Sequence, residues 1–558
     1  MKMHLKFMTT LTIISVAFAS SVAAAPPPTQ PKLFVVISLD QFSAALFAEY
    51  RDRFTGGLKR MAREGVVFPS AYQSHAATET CPGHSTLLTG RHPSATGIVG
   101  NTWFDRATGK TLYCVFDPAG RVPQRDGQPR GPANLKVPTF GEWLKAANPA
   151  SRNYAVSGKD RAAITMAGHD PDGVFWWDDE NGFTTYVPKG MSDLDRLEPV
   201  AAFNAAYFAS WKRGGAPGWG KADPRCTPEP QPSRFGGETI KHRIPPAGWT
   251  PPPSFRDFGD PDFKRRFRAS PAIDRVTLAL ASQLLDRAKL GRGAAPDVLA
   301  VSLSAIDYVG HRYGTQGPEM CQQLMELDSA LGSFIAKLDA LKVPVVVALS
   351  ADHGSVDAAE RTAERGVPAR RILPEVFGGE INRAVRAKLN LDFDPLSGGG
   401  DQIVILGEPA KRAAIEAATL AELRARPEVV AVFTKAELLA SMPPRGKPAD
   451  EMTLAERFAL SADADRSGDI AVAFQPYTTF GNPQSEGDTV AGHGSVWNYD
   501  RRVPLLFWWP GATPFEQPLP VETTDIAPTL AALAHIKTPP VDGRCLDLDA
   551  TAEDSCAR

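Results

Sequence analysis

Short, continuous apolar runs recur along the chain, and polar residues follow most of them. The first run, residues 33–39, is followed directly by Asp40. Runs of this kind are typical of strands that are buried on both faces of a parallel sheet. Asp307 follows a second run at 298–304, and Asp352 follows a third at 343–350. A fourth run, at 503–509, predicts another strand, with a proline near its start.

Helical patterns lie between these runs, for example at 273–288 and 320–341. Strands that alternate with helices predict an α/β fold with a central, mostly parallel sheet flanked by helices. In such sheets, ligands bind beyond the carboxyl ends of the strands. The aspartates that follow the first three runs are therefore candidate site residues.

Two regions interrupt this alternation. Residues 214–263 are rich in proline, glycine and tryptophan, which predicts a long irregular insertion. Residues 361–464 combine a short strand at 402–406, a helix at 409–426 and a strand at 429–433, which predicts a small α+β cap. The main domain is expected to cover residues 33–545, followed by a C-terminal tail at 546–558.

The first 24 residues predict a secretory signal peptide. Lys2 and Lys6 precede a short apolar run at 7–18, and small residues follow it. No later segment has the roughly 18 consecutive apolar residues that a spanning helix needs, so we expect no membrane anchor. The mature protein is expected in the periplasm or outside the cell.

An oxidising compartment permits disulfide bonds between the six cysteines of the chain. Six cysteines allow 15 pairings, and the sequence does not choose among them. Cys545–Cys556 is the most local pair and would hold the C-terminal tail. The chain has no Cys-x-x-Cys, which argues against a thiolate zinc site.

Composition and charge exclude some classes of protein. Hydrophobic residues make up 43% and charged residues 22%, which excludes a disordered chain. The 61 basic and 63 acidic residues nearly cancel, so the chain has no basic excess. Specific nucleic-acid binding is therefore not expected. We expect a monomer that acts on small molecules.

Carboxylates and imidazoles recur at the predicted strand ends. Asp307 precedes His311 by four residues, Asp352 precedes His353 directly, and His493 lies in a glycine-rich loop. Alone, each of these is more often a helix cap or a loop residue. Together with Asp40, they supply three carboxylates and three imidazoles, a donor set that suits zinc and a two-metal centre.

Several stretches carry a resemblance to a known family. They are Ser38-Leu-Asp40-Gln, Ala77-Thr-Glu-Thr80-Cys-Pro-Gly-His84-Ser-Thr-Leu-Leu-Thr-Gly90, His92-Pro-Ser-Ala-Thr-Gly97-Ile-Val-Gly-Asn101, Asp307-Tyr-Val-Gly-His311, Ala351-Asp-His-Gly354, Gly492-His-Gly494 and Thr524-Asp-Ile-Ala-Pro-Thr529. With these stretches, the chain resembles the alkaline phosphatase superfamily. It is most similar to secreted single-chain bacterial phosphatases with a threonine nucleophile, which are related to the nucleotide pyrophosphatase/phosphodiesterases.

The resemblance implies two zinc sites and a phosphate monoester hydrolase that forms a phosphothreonine. One zinc ion would be bound by Asp40, Asp352 and His353, together with the oxygen of the nucleophile Thr80. The other would face the leaving group, and its implied ligands are Asp307, His311 and His493. Sulfatases of the superfamily use a modified cysteine or serine where Thr80 stands, so Cys81 is expected to be half of a disulfide.

The resemblance also implies which residues contact the substrate. An asparagine and a Lys-x-Arg pair bind the nonbridging phosphate oxygens in the resembled phosphatases, and they map to Asn101, Lys159 and Arg161. Two fixed cations favour a monoester dianion over a diester monoanion. A phosphodiesterase with the same metals is the alternative enzyme, and a non-catalytic metal-binding protein is the alternative from another class.

A weaker motif lies near the end of the predicted cap. Asp463, Asp465 and Asp469 imitate the first half of a calcium-binding loop. Phe474 stands where such a loop needs a glutamate. The alternative is a simple turn before a strand at 470–474, so a structural calcium ion is the less favoured interpretation.

Overall fold

In the computed structural model, the described residues are 27–557, except for 29, 124, 126–127, 216, 227–230, 247–260, 399, 486 and 551–553. The predicted signal peptide therefore lies outside the described residues, as does part of the predicted irregular insertion. Every predicted site residue, from Asp40 to His493, lies within them.

The strands of the described part form one large sheet and several small ones. Their bounds in chain order are β1 (Leu33–Leu39), β2 (Val66–Tyr72), β3 (Thr102–Asp105), β4 (Lys110–Tyr113), β5 (Gly120–Arg121), β6 (Asn153–Ser157), β7 (Gly173–Asp178), β8 (Gly182–Thr184), β9 (Val187–Pro188), β10 (Ser233–Phe235), β11 (Glu238–Ile240), β12 (Asp297–Leu303), β13 (Val345–Ser350), β14 (Arg370–Ile372), β15 (Leu396–Ser397), β16 (Gln402–Ile405), β17 (Val429–Thr434), β18 (Ile470–Phe474), β19 (Thr478–Phe480), β20 (Arg502–Trp508), β21 (Phe515–Glu516) and β22 (Val521–Glu522).

Helices separate most of these strands along the chain, and several begin with a proline in their first turn, where a missing N–H costs nothing. A 3₁₀ turn covers Thr523–Asp525. The α-helices are α1 (Ala44–Tyr50), α2 (Gly57–Glu64), α3 (Thr80–Thr89), α4 (Pro93–Thr96), α5 (Phe140–Ala147), α6 (Asp160–Ala167), α7 (Asp193–Gly214), α8 (Pro261–Arg268), α9 (Pro271–Arg287), α10 (Ala305–Tyr313), α11 (Pro318–Ala340), α12 (Ala359–Glu364), α13 (Pro374–Leu389), α14 (Pro409–Arg424), α15 (Lys435–Leu439), α16 (Leu454–Ala459), α17 (Asn498–Arg501) and α18 (Ile526–Leu533).

The large sheet has ten strands, in the order β21-β2-β20-β13-β1-β12-β6-β7-β8, with β22 beside β2. Its centre is parallel, because β1 pairs in parallel with both β12 and β13, β12 with β6, and β6 with β7. All residues of β1, β12 and β13 are buried, which explains why these strands are apolar without alternation. The predicted α/β fold with a central, mostly parallel sheet is confirmed.

The fourth predicted strand, β20, differs in direction from the first three. It pairs antiparallel with β13 on one side and with β2 on the other. Its carboxyl end therefore lies at the opposite edge from the ends of β1, β12 and β13. This direction explains why no aspartate of the site follows it, and it places the loop that precedes β20 at the same edge as Asp40.

A second, smaller sheet has the order β15-β16-β18-β17. It encloses a separate apolar core with α13 and α14, to which Ile381, Ile403, Ile415 and Val472 contribute. The strand, helix and strand that the sequence predicts at 402–406, 409–426 and 429–433 correspond to β16, α14 and β17. The predicted cap ends at residue 464, but the small sheet also includes β18, which begins at Ile470.

The six cysteines form three disulfides, Cys81–Cys114, Cys226–Cys321 and Cys545–Cys556. The last is the local pair that the sequence suggests, and the first confirms that Cys81 is disulfide-bonded. The second attaches the insertion, which contains the short hairpin β10–β11, to α11. Of the helices that the structure describes, none combines the length and the apolar character needed to cross a membrane.

Candidate active site

The predicted site residues meet at one edge of the large sheet. Asp40 follows β1, Asp307 lies in the first turn of α10 after β12, and Asp352 follows β13. Thr80 begins α3 after β2, which runs in the same direction as β1. His493 reaches this edge from the loop before the antiparallel strand β20. Strand direction thus brings residues that are far apart in sequence into one site.

Asp40, Asp352 and His353 form the first of two groups that can hold a metal ion, and we call it the first group. All three side chains are fully buried. His353 Nε2 lies 3.6 Å from Asp40 Oδ1 and 3.4 Å from Asp352 Oδ2. These are the residues that the family resemblance assigns to the zinc ion beside Thr80.

The second group consists of Asp307, His353 and His493. His493 Nε2 lies 3.4 Å from Asp307 Oδ1, and His311 Nε2 lies 3.1 Å from the same oxygen. The resemblance assigns His311 to this ion, whereas the geometric group has His353 in its place. His353 belongs to both groups, and its ring stacks on that of His493 with centroids 3.7 Å apart.

The three histidines present the same ring nitrogen to the site. His311 Nδ1 lies 2.8 Å from Ala491 O, and His493 Nδ1 lies 2.8 Å from Thr78 O. His353 Nδ1 lies 3.0 Å from the carbonyl of the next residue. A nitrogen beside a carbonyl must carry a proton, so Nε2 is the ring nitrogen that each histidine directs toward the carboxylates. Metal-binding histidines are oriented in this way.

Some buried polar atoms of the first group have no hydrogen bond within the described part of the protein. Asp40 Oδ1 and His353 Nε2 are two of them. Buried polar atoms without partners are costly, and a bound cation would satisfy both of these. The donor set of carboxylate oxygens and imidazole nitrogens fits a zinc-like dication.

Burial and mutual repulsion shape the electrostatics of the site. Burial and the charge of Asp352 raise the pKa of Asp40 to about 7. Burial lowers the pKa of His353 to about 3, which keeps this imidazole neutral and able to bind a metal. Burial also disfavours charge on His493, but the hydrogen bond and charge of Asp307 outweigh it and raise the pKa of His493 to about 9.

Lys159 and Arg161 lie beside the candidate nucleophile Thr80. Lys159 Nζ lies 2.6 Å from Asp40 Oδ2, 2.5 Å from Asp307 Oδ2 and 3.5 Å from Thr80 Oγ1. Arg161 Nη2 lies 3.1 Å from Thr80 Oγ1. Lys159 therefore contacts one carboxylate of each group, in addition to its place beside the hydroxyl.

A model of one protein family matches residues 34–496, and that family is described as type I phosphodiesterase / nucleotide pyrophosphatase. The chain belongs to this family. The family is part of the alkaline phosphatase superfamily, so the resemblance predicted from the motifs is confirmed.

Curated relatives of this family member cover nearly its whole length. Alkaline phosphatase PhoK of a Sphingomonas species is 43% identical over 97% of this chain and 94% of its own. Alkaline phosphatase PafA of Elizabethkingia meningoseptica is 29% identical over 91% of this chain and 92% of its own.

Solved structures of PafA have the same fold as this family member. The wild-type crystal structure matches with a TM-score of 0.78 and 26% identity, over 93% of this chain and 98% of that chain. A second crystal structure is that of a PafA variant in which a threonine is replaced by serine, and an asparagine, a lysine and an arginine by alanine. It matches over the same shares of both chains with a TM-score of 0.77 and 26% identity.

Sequence reasoning assigned no role to several residues that support the site in this family member. Tyr308 lies under the Lys159 ammonium, 4.9 Å from its ring centroid. Asp160 accepts a hydrogen bond from the Arg161 amide at 2.7 Å, and Tyr113 Oη donates to it at 2.6 Å. For Asp160 and Tyr308, the available signal was their position beside predicted site residues, in Lys-Asp-Arg and Asp-Tyr.

His84, in the motif at 77–90, contacts both Asp352 and the start of α3. Its Nδ1 lies 3.0 Å from Asp352 Oδ2 and 2.9 Å from Thr80 O, and its Nε2 lies 2.9 Å from Ser302 Oγ. His84 is fully buried. It therefore connects the start of α3 with the first group.

The calcium alternative finds no support in the described contacts. Asp463 pairs with Lys136. Asp469 pairs with Arg106 at 2.9 Å and with Arg412 at 2.7 Å. Carboxylates that already have basic partners are poor candidates for a calcium loop. The arrangement favours the turn before β18 that the sequence offers as the alternative.

Gly83 lets α3 approach the first group, and its substitution should disturb metal binding. A Cβ at Gly83 would lie 2.0 Å from the carbonyl oxygen of Asp352, whereas one at Gly492, beside His493, would meet no atom within 4 Å. We expect Gly83→Ala to weaken metal binding about tenfold or more, because overpacking costs on the order of 1–3 kcal/mol and about 1.4 kcal/mol is a factor of ten.

Metal titration followed by elemental analysis measures this effect, and Gly492→Ala is the matched control. Gly492→Ala should bind metal as the wild type does. Equal metal affinity in the two variants would contradict the proposed role of Gly83.

Proposed function

We propose that this protein is a zinc-dependent phosphate monoester hydrolase in which Thr80 is the nucleophile and carries the phosphoryl group transiently. Thr80 is fully buried as the first residue of α3. Its hydroxyl lies beside Arg161 and Lys159, and Lys159 also contacts Asp40 and Asp307. This meeting of a hydroxyl, two cations and both metal-holding groups is the observation that carries the proposal.

The first group would hold the zinc ion beside Thr80. The second group, together with His311, would hold the zinc ion that faces the leaving group. When bound, such ions lower the pKa of an alcohol and neutralise charge on a leaving oxygen. Their charge would also compete with Lys159 for Asp40 and Asp307, which would release the Lys159 ammonium toward the phosphate.

The reaction proceeds by two displacements at phosphorus. Thr80 Oγ1 forms a bond to phosphorus while the ester P–O bond breaks, and the proton lost by Thr80 balances the proton gained by the leaving alkoxide. Water then cleaves the Thr80 phosphoester and restores the hydroxyl with release of phosphate. The amino end of α3 carries positive partial charge, which favours an anion there.

Arg161, Lys159 and Asn101 would bind the nonbridging phosphate oxygens. A monoester dianion presents three such oxygens and more charge than a diester, so two cations favour the monoester. The curated relatives PhoK and PafA are named alkaline phosphatases, which supports the same choice. The family description includes phosphodiesterases, so a diester is the substrate class to compare.

The cellular location is proposed from two observations. Residues 1–24 have the pattern of a signal peptide, and all six cysteines are paired in disulfides. Disulfides persist in oxidising compartments. We therefore place the mature enzyme in the periplasm or outside the cell, acting as a monomer on small phosphate esters.

Purified protein should hydrolyse an aryl phosphate faster than the matched aryl phosphodiester. Exhaustive dialysis against EDTA should abolish this turnover, and zinc should restore it, since both groups would lose their ions. The measurements are kcat/KM for the two esters and metal content by elemental analysis. Full activity in metal-free protein would refute the zinc part of the proposal.

Thr80→Ala should retain the bound metal and lose nearly all turnover, because the nucleophile is lost while the carboxylate and imidazole ligands stay. Thr80→Ser, which keeps a hydroxyl, is the matched control and should retain partial activity. Turnover is measured with an aryl phosphate in metal-loaded protein. A Thr80→Ala variant with near wild-type activity would exclude Thr80 as the nucleophile.

Arg161→Ala should lower monoester kcat/KM by roughly tenfold to a hundredfold, because a hydrogen bond to a charged group contributes on the order of 1.5–3 kcal/mol. Diester kcat/KM should fall much less, since less of its charge meets Arg161. Lys159→Ala/Arg161→Ala should shift the preference further toward the diester.

Matched aryl mono- and diesters measure this preference, with metal content as the control. Arg161→Ala is the sharper single variant, because Lys159 also contacts Asp40 and Asp307. Equal losses on both esters would mean that these cations hold the site together and do not select the substrate.

A further inference from the structure

Asn101 is held at three of its atoms. Its main-chain amide nitrogen donates to Glu79 Oε2 at 2.6 Å. Its main-chain carbonyl oxygen accepts from the main-chain amide of Cys114 at 3.0 Å. Its side-chain Oδ1 accepts from the amide of Cys81 at 2.9 Å. Asn101 therefore lies between the two cysteines of one disulfide, directly beside the residue that follows Thr80.

These contacts fix the orientation of the Asn101 side chain. Because Oδ1 accepts from Cys81, the amide group has to present its Nδ2 hydrogens on the other side. In the described part of the protein, Asn101 Nδ2 donates to no acceptor. An amide that is fixed through its oxygen, with its donors unused, is suited to bind an anionic oxygen next to Thr80.

The segment that carries Asn101 lies outside the large sheet. Its hairpin is held by the packing of Trp103 and by Tyr113, whose Oη donates to Asp160 at 2.6 Å. Asn101 precedes β3, which pairs only with β4 in a two-stranded sheet separate from the large sheet. A two-stranded hairpin is marginally stable by itself. Of its side chains, Trp103 is buried and lies under Arg466, whereas all residues of β4 are exposed or half-buried.

The disulfide Cys81–Cys114 joins this hairpin covalently to the start of α3. Cys114 directly follows β4, and Cys81 is the second residue of α3. Both cysteines are buried. The bond therefore ties the base of the hairpin to the helix that presents Thr80.

We propose that the Cys81–Cys114 disulfide is a positioning element for catalysis. It keeps the side-chain amide of Asn101 at a fixed position relative to Thr80. The inference rests on the proposed phosphate monoester hydrolysis. Without the bond, Trp103 keeps the hairpin folded, and hydrogen bonds alone hold Asn101 beside α3. Asn101 and α3 then shift more easily relative to each other. The contact between Asn101 and the transferring phosphoryl group then becomes weaker, which lowers the rate.

The test is a double-mutant cycle between the disulfide and Asn101. Cys81→Ser/Cys114→Ser should lower kcat/KM for an aryl phosphate about tenfold with metal content unchanged, since about 1.4 kcal/mol of lost transition-state binding is a factor of ten. In an Asn101→Ala background, loss of the disulfide should lower kcat/KM less than about twofold. Neighbours that act through one contact are non-additive in this way.

A second disulfide supplies the matched control. Cys226–Cys321 spans 95 residues against 33 for Cys81–Cys114. Chain-entropy arguments make the longer loop the larger contributor to stability. Cys226→Ser/Cys321→Ser should therefore lose more thermal stability and yet keep wild-type kcat/KM at a temperature where it is folded. This contrast separates positioning from general destabilisation.

The same cycle is also measured on the affinity for inorganic phosphate, which does not depend on turnover. Wild-type hydrolysis and its loss in Thr80→Ala are measured first and report on the proposed function alone. If the serine variant does not fold, Cys81→Ala/Cys114→Ala replaces it, because alanine suits buried positions.

Two results would overturn the inference. One is an unchanged kcat/KM and phosphate affinity in the Cys81/Cys114 variants. The other is an equal loss with and without Asn101, which would assign the disulfide a structural role only.

Discussion

The site depends on one electrostatic constraint, which is the burial of three carboxylates at one edge of the sheet. Asp40, Asp307 and Asp352 are almost inaccessible to water. Buried charges are stable only when they are paired or bind metals. Lys159 contacts two of them, and the partnerless Oδ1 and the raised pKa of Asp40 indicate that negative charge still exceeds positive charge. The two groups that can hold a metal ion offer sites where cations would balance this charge.

Strand direction decides which residues can share that edge. The parallel strands β1, β12 and β13 deliver the three aspartates at their carboxyl ends. The antiparallel strand β20 brings His493 to the same edge at its amino end. One sheet with both directions thus collects carboxylates and imidazoles from segments more than 400 residues apart, such as Asp40 and His493.

Around the ligands, the protein fixes orientation by contacts that are mostly with the backbone. Carbonyl groups hold the Nδ1 side of the three histidines, and Gly83 allows α3 to lie against Asp352. Asn101 is held by two main-chain amides and one carboxylate. The contacts of His311 and His493 depend on tertiary packing, because each joins segments that are distant in the chain. A shift of either segment would move the reacting groups apart.

The sequence by itself determined the α/β architecture, the strands that precede Asp40, Asp307 and Asp352, and the set of candidate ligands. Apolar runs and motif spacing are local properties, so they can be read without coordinates. Only the tertiary structure decided the antiparallel direction of β20, the place of His353 between both groups, and the pairing of Cys81 with Cys114. It also decided the ion pairs of Lys159. These features depend on how distant segments pack, and no local pattern of residues records that packing.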